Sequence, residues 1–172
     1  MSYGTNDAMD TYWDARGYTV SGIDATEKTR LRTIASVYVD SIGWRTAPSG
    51  FPVSLFPGTP VSAVQERQWP REGAIDAYGN EVSPASVPGA VERATYEAAY
   101  YAGTNPGALN SAVRGDQRVT REKFDVVEFE YDSSSMPLSG VSGNAPVIPA
   151  VATLLAPLLT GGSRFGITGV VA

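Results

Sequence analysis

The stretch "VPGAVERATYEAAYYAG" (87–103) narrows the possible folds more than any other part of the chain. From about Pro88 it reads as an alanine-rich helix, with Val91, Ala94, Thr95, Ala98 and Ala102 along one stripe. Side chains this small let a second helix come close, so the segment should be the central packing helix of a helical core. Tyr96, Tyr100 and Tyr101 widen its apolar surface, as core and rim or as a platform for stacked bases.

A partner is not hard to find. Residues 24–42 give the longest helical signal: Asp24 and Glu27 resemble a capping box, Leu31, Ile34, Ala35, Tyr38 and Ile42 form a continuous stripe, and Gly43 stops it. Lys28, Arg30 and Arg32 cluster near its start, as a solvated face or as a contact for a partner or phosphate. A first helix is expected over 6–16, capped by Thr5 and ended by Gly17, with Met9, Tyr12 and Trp13 on its apolar side. A final helix is expected at about 148–159; Pro149 suits its first turn, and Pro157 should kink or shorten its end.

Between these lie stretches of another kind. Residues 43–60 hold Pro48, Pro52, Pro57 and Pro60, which argues against regular structure. Yet Trp44, Phe51, Leu55 and Phe56 make this loop apolar, so it folds onto its own core or is covered by another chain. A short helix is expected at about 61–68, ending where Pro70 disfavours helical backbone at Trp69. Trp69-Pro70-Arg71 then reads as a structural lock: the ring pins the turn to the core, and Arg71 reaches carbonyls or carboxylates. Gly79-Asn80 marks a further turn.

Residues 112–132 read as an extended, β-like arm or hairpin. Val127, Phe129 and Tyr131 face one way, and Glu128, Glu130 and Asp132 the other. Arg114, Arg118, Arg121 and Lys123 make its first part basic, and Asp125, Glu128, Glu130 and Asp132 make its second acidic. The halves pair with each other, or each matches the opposite half on a neighbouring copy. After Gly161-Gly162 comes a short tail, "SRFGITGVVA", either a flexible terminus or a segment that docks on a partner.

Composition excludes several chemistries. Cysteine and histidine are both absent, which removes thiolate nucleophiles, zinc–sulfur and histidine metal sites, and the usual general base. Asp7, Asp10 and Asp14 share a stripe of the first helix, but nothing among them fixes a ligand set or pairs a nucleophile with a base. We expect no enzyme activity, cofactor or metal. The net charge of −5 argues against tight non-specific binding of nucleic acid. The start "MSYGTNDAMD" lacks the features of a signal peptide, and the apolar run 145–159 is too short to span a bilayer, so no membrane role is expected. The 18 glycines and 12 prolines point to a compact core with long loops.

Five segments occur in order: "DAMDTYWDARGY", "LRTIASVYVDSI", "QERQWPREGAIDAYGNEV", "VPGAVERATYEAAYYA" and "IPAVATLLAPLL". Together they resemble the small helical head–tail connector (adaptor) proteins of tailed bacteriophages and prophages, whose relatives often carry the label DnaT-like single-stranded-DNA-binding protein. The resemblance implies a mainly α fold: a small bundle of about four to five helices with an arm near 112–132 and a flexible C-terminal tail. It implies one connector domain over 1–162 and a tail at 163–172. It further implies a ring of copies, typically dodecameric, beneath the portal protein in the virion neck, assembled in the host cytoplasm. Such a ring docks a stopper or tail-completion protein and lets packaged duplex DNA pass without tight binding. Arg114, Arg118, Arg121, Lys123, Glu128, Glu130 and Asp132 become candidates for the subunit interface. Arg164, Phe165, Ile167, Val170 and Val171 become candidates for portal or neck contacts. The alternative is a single-strand-binding module using Tyr96, Tyr100 and Tyr101 with Arg114, Arg118 and Arg121.

Overall fold

The computed structural model describes residues 1–46, 49–109, 121–124, 127–130 and 146–159. Helix α1 (Asn6–Arg16) starts where Thr5 accepts a hydrogen bond from the Ala8 amide and ends at Gly17, whose φ of 68° only glycine adopts freely. Helix α2 (Ala25–Ile42) follows, with the Asp24 carboxylate accepting from the Glu27 amide at 2.7 Å. Only half of the capping box forms, because Glu27 turns to Arg30 instead of back to Asp24.

Helix α3 (Gly89–Thr104) packs on α2 along one side and on α4 (Pro149–Leu155) along another. Its stripe from Val91 to Ala102 is buried as expected, and Tyr96, Glu97 and Ala99 are buried with it. The core joins Met9 and Trp13 of α1, Leu31, Ala35 and Val39 of α2, and Val151, Leu155 and Leu158 beyond. Burying each such large apolar side chain contributes roughly 1.5–3 kcal/mol. The fold is therefore a small, mainly α domain. Helix α4 ends early: from Ala156 to Leu158 the chain tightens into a 3₁₀ turn around Pro157, which cannot continue the α ladder.

Two sequence expectations need correction. Residues 43–60 are not wholly irregular. Strand β1 (Trp44–Thr46) pairs antiparallel with β2 (Pro52–Ser54), and β3 (Thr59–Pro60) with β4 (Arg71–Glu72). Leu55 and Phe56 enter the core, whereas Phe51 stands 72% exposed, so the segment folds largely onto its own chain. No helix forms at 61–68. Ser62 Oγ accepts from the Val64 amide, Gln65 Oε1 accepts from the Ser62 amide, and Gln65 Nε2 donates to the carbonyls of Arg67 and Pro70. Side chains thus capture the local backbone groups before a helical turn can use them.

A third pair, β5 (Arg121–Phe124) and β6 (Val127–Glu130), forms the self-paired hairpin. Arg114, Arg118, Asp132 and the tail residues Arg164, Phe165, Ile167, Val170 and Val171 lie outside the described residues.

Candidate assembly site

Trp69 and Arg71 are each 2% exposed, and the Trp69–Pro70 bond is cis. The indole sits edge-on to Phe56 with ring centroids 5.6 Å apart, and its Nε1 finds no acceptor among the described residues. Arg71 Nε donates to the Pro57 carbonyl at 2.7 Å, Nη2 to the Gly58 carbonyl at 2.6 Å, and Nη1 to the Gln68 carbonyl and Oε1. Of the two partners expected for this guanidinium, carbonyls are the ones used. Burial shifts it downward from the usual arginine value. This cation staples the β3–β4 pair to the turn before it.

A second set of residues completes the lock, and sequence reading missed them. The Tyr3 hydroxyl donates to Asp40 at 2.5 Å and accepts from the Trp69 amide at 3.1 Å. Asp40 also accepts from the Gln68 amide and Arg67 Nη1, each at 3.3 Å. Burial raises the Asp40 carboxyl above its ordinary range; burial first, then the Asp40 charge, raises the Tyr3 phenol. Arg32, buried on α2, donates to the carbonyls of Tyr3 and Gly4 and to Asn6 Oδ1. The N-terminal segment thus covers a polar strip of α2 that includes Ser36. The only local signal was a set of polar residues at i, i+4 and i+8 beside an apolar stripe.

The aromatic residues of α3 are similarly occupied. Tyr96 is buried, with its ring 5.7 Å from that of Tyr12. Tyr100 stacks on Tyr18 at 4.0 Å, and Tyr101 packs half-buried against the core. Glu97 is buried beneath α1, accepting from Tyr12 at 2.7 Å and pairing with Arg16 at 3.0 Å. The core-and-rim reading of these tyrosines is the one the geometry supports.

The basic cluster at the start of α2 is divided as well. Lys28 pairs with Asp10 at 2.7 Å, Arg30 with Glu27, and Arg32 turns inward. Among the described residues, no group of three acidic side chains is placed to hold a metal. No described helix is long and apolar enough to cross a membrane.

The backbone register of the hairpin aligns Arg121 with Glu130 and Lys123 with Glu128.

No curated protein and no solved structure matches the chain. One family model does, described as "Putative DnaT-like ssDNA binding protein", over residues 1–171. A match that long, across the lock and every helix that frames it, means that the chain belongs to this DnaT-like family.

Proposed function

We propose that the protein is a structural subunit of a phage head–tail connector, a ring-forming adaptor that docks beneath the portal and does no chemistry. One observation supports this reading: among the described residues, most basic side chains and the α3 tyrosines are already engaged by partners within the chain. Arg16, Lys28, Arg30, Arg32, Arg67 and Arg71 are each held by a carboxylate or by carbonyls, and the α3 tyrosines are packed. A net charge of −5 suits a channel wall that repels duplex DNA and lets it slide. The test is co-sedimentation and negative-stain microscopy with purified portal. Rings or portal-bound complexes are expected, and no association would overturn the proposal. Deleting residues 163–172 should weaken docking more than thermal stability, since the expected portal contacts lie there.

The family description favours a second reading, single-strand binding, over the connector. On this reading the described body contributes little beyond the exposed Arg93, and contacts fall to Arg114, Arg118 and Arg121. Fluorescence anisotropy with a labelled oligonucleotide separates the two. Single-strand binding requires a complex at low salt that weakens steeply as salt rises. A flat titration removes it.

A further inference from the structure

Gly17 ends α1 in the left-handed region, and the Tyr18 amide turns back to the Trp13 carbonyl at 2.9 Å. The Tyr18 ring then stacks on Tyr100 of α3, and Val20 lies beside Gly103 of the same helix. The return segment 18–23 is thereby held against α3. A groove of about 360 Å³ remains between it, α1 and the start of α2. Its apolar lining is the buried Trp13 with the half-buried Tyr18, Val20 and Ile23. Asp10, Asp14 and Lys28 supply its charges.

Two of those charges satisfy each other, since Lys28 reaches from α2 to Asp10 on α1 at 2.7 Å. Asp14, one helical turn beyond Asp10, is exposed, and among the described residues its carboxylate has no hydrogen bond or ion pair. Arg16 stands only two residues away but is turned to the buried Glu97 instead. The position of Asp14 is also unfavourable. It lies in the last turn of α1, where the helix dipole is negative and repels a carboxylate. A side chain that opposes its own helix and gains no partner within the fold is the kind of local conflict that binding sites carry.

The lining selects the ligand. An anion would meet Asp10 and Asp14, and among the described residues no three acidic groups are placed for a bare metal ion. A cation on an alkyl stem suits both parts of the groove. Its methylenes cover the apolar lining, and its head meets Asp14 and the negative end of α1. A guanidinium does this best, because its fork grips a carboxylate with two parallel hydrogen bonds. One exposed pair of this kind contributes little by itself, so the cation has to arrive on a partner that makes further contacts of its own.

We infer that the groove between α1, the 18–23 segment and α2 is a docking pocket for an arginine side chain projecting from a partner protein, with Asp14 as its acceptor. The inference stands apart from the connector and single-strand readings, because it names a contact and not the role of the partner.

Proton–nitrogen NMR on the isotope-labelled full chain tests it, with the blocked tripeptide acetyl-Gly-Arg-Gly-amide as probe. Titration into the tens of millimolar should shift the Trp13 indole and the amides of Asp14, Tyr18 and Val20 along one common curve. The same peptide with citrulline, an uncharged isostere of arginine, should respond at least roughly fivefold more weakly. Asp14→Asn should weaken the arginine response by a similar factor and raise Tm slightly, because the conflict with the helix dipole is gone. Asp7→Asn removes the same charge from the same helix outside the groove and should leave the response intact. A purely structural Asp14 predicts the reverse, a lower Tm with unchanged shifts, and that result would overturn the inference. So would silence at these groups, an equal response to citrulline, or an equal loss in Asp7→Asn. Putrescine binding more tightly than the peptide would also overturn it, by assigning the groove to a free diamine.

Discussion

Trp69 is fully buried with its indole edge-on to Phe56, and its amide donates to the Tyr3 hydroxyl. Trp69→Ala should therefore lower unfolding free energy by roughly 3–5 kcal/mol, read from urea denaturation. A loss under about 1 kcal/mol would mean that the site collapses to fill the gap. Gly58 is the other sensitive residue. Its φ is +68°, its carbonyl accepts from Arg71, and an added Cβ would overlap the Glu72 carbonyl and crowd Ala74. Those neighbours are backbone and cannot swing away. Gly58→Ala should cost at least about 2 kcal/mol, from left-handed strain and collision together. An unchanged midpoint would rule out that crowding. The Trp69-Pro70-Arg71 part of the lock was legible because a tryptophan before a proline after a polar run announces a fixed turn. The Tyr3, Arg32 and Asp40 part was not. Its partners lie dozens of residues apart, and no local pattern brings them together.

At the scale of elements, α3 is the test case. Ala98 is fully buried on a helix that packs against both α2 and α4, where a larger side chain has no free space to enter. Ala98→Leu should force the helices apart and cost roughly 1–3 kcal/mol, seen as a lower urea midpoint. A variant as stable as the parent would show that the interface has room to spare. The helices were readable from sequence because their causes are local: caps at Thr5 and Asp24, stops at Gly17 and Gly43, and stripes at helical spacing. The short strands were not, since β1–β2 and β3–β4 are joined by pairings outside any local window. The false helix at 61–68 failed for a related reason. Eight residues cannot pay for helix nucleation alone, and Ser62 and Gln65 offered their backbone better partners.

Across the whole molecule, tyrosines link stability to alkaline pH. Burial is the main cause that raises the phenols of Tyr3, Tyr12, Tyr38 and Tyr96 above the ordinary value near 10. Above about pH 10 the unfolded chain releases these protons while the folded chain keeps them, so folding stability must fall as pH rises. The contribution is fully present below the unfolded value and is lost on the way up. Tm should drop between pH 9 and 11, and Tyr3→Phe should make that drop shallower. A Tm flat over this interval would contradict the placement of these rings.

The position of α4 has a consequence for how the protein is made. The Tyr38 hydroxyl donates to the Pro146 carbonyl and accepts from the Ile148 amide, and the Ala77 amide donates to the Pro157 carbonyl. The last wall of the core is thus fastened at both ends to segments synthesised much earlier. A nascent chain still short of residue 149 carries α3 with one side bare. Until residues 149–158 have left the ribosome, the body cannot close, and a product truncated before them would be marked for proteolysis by that open side.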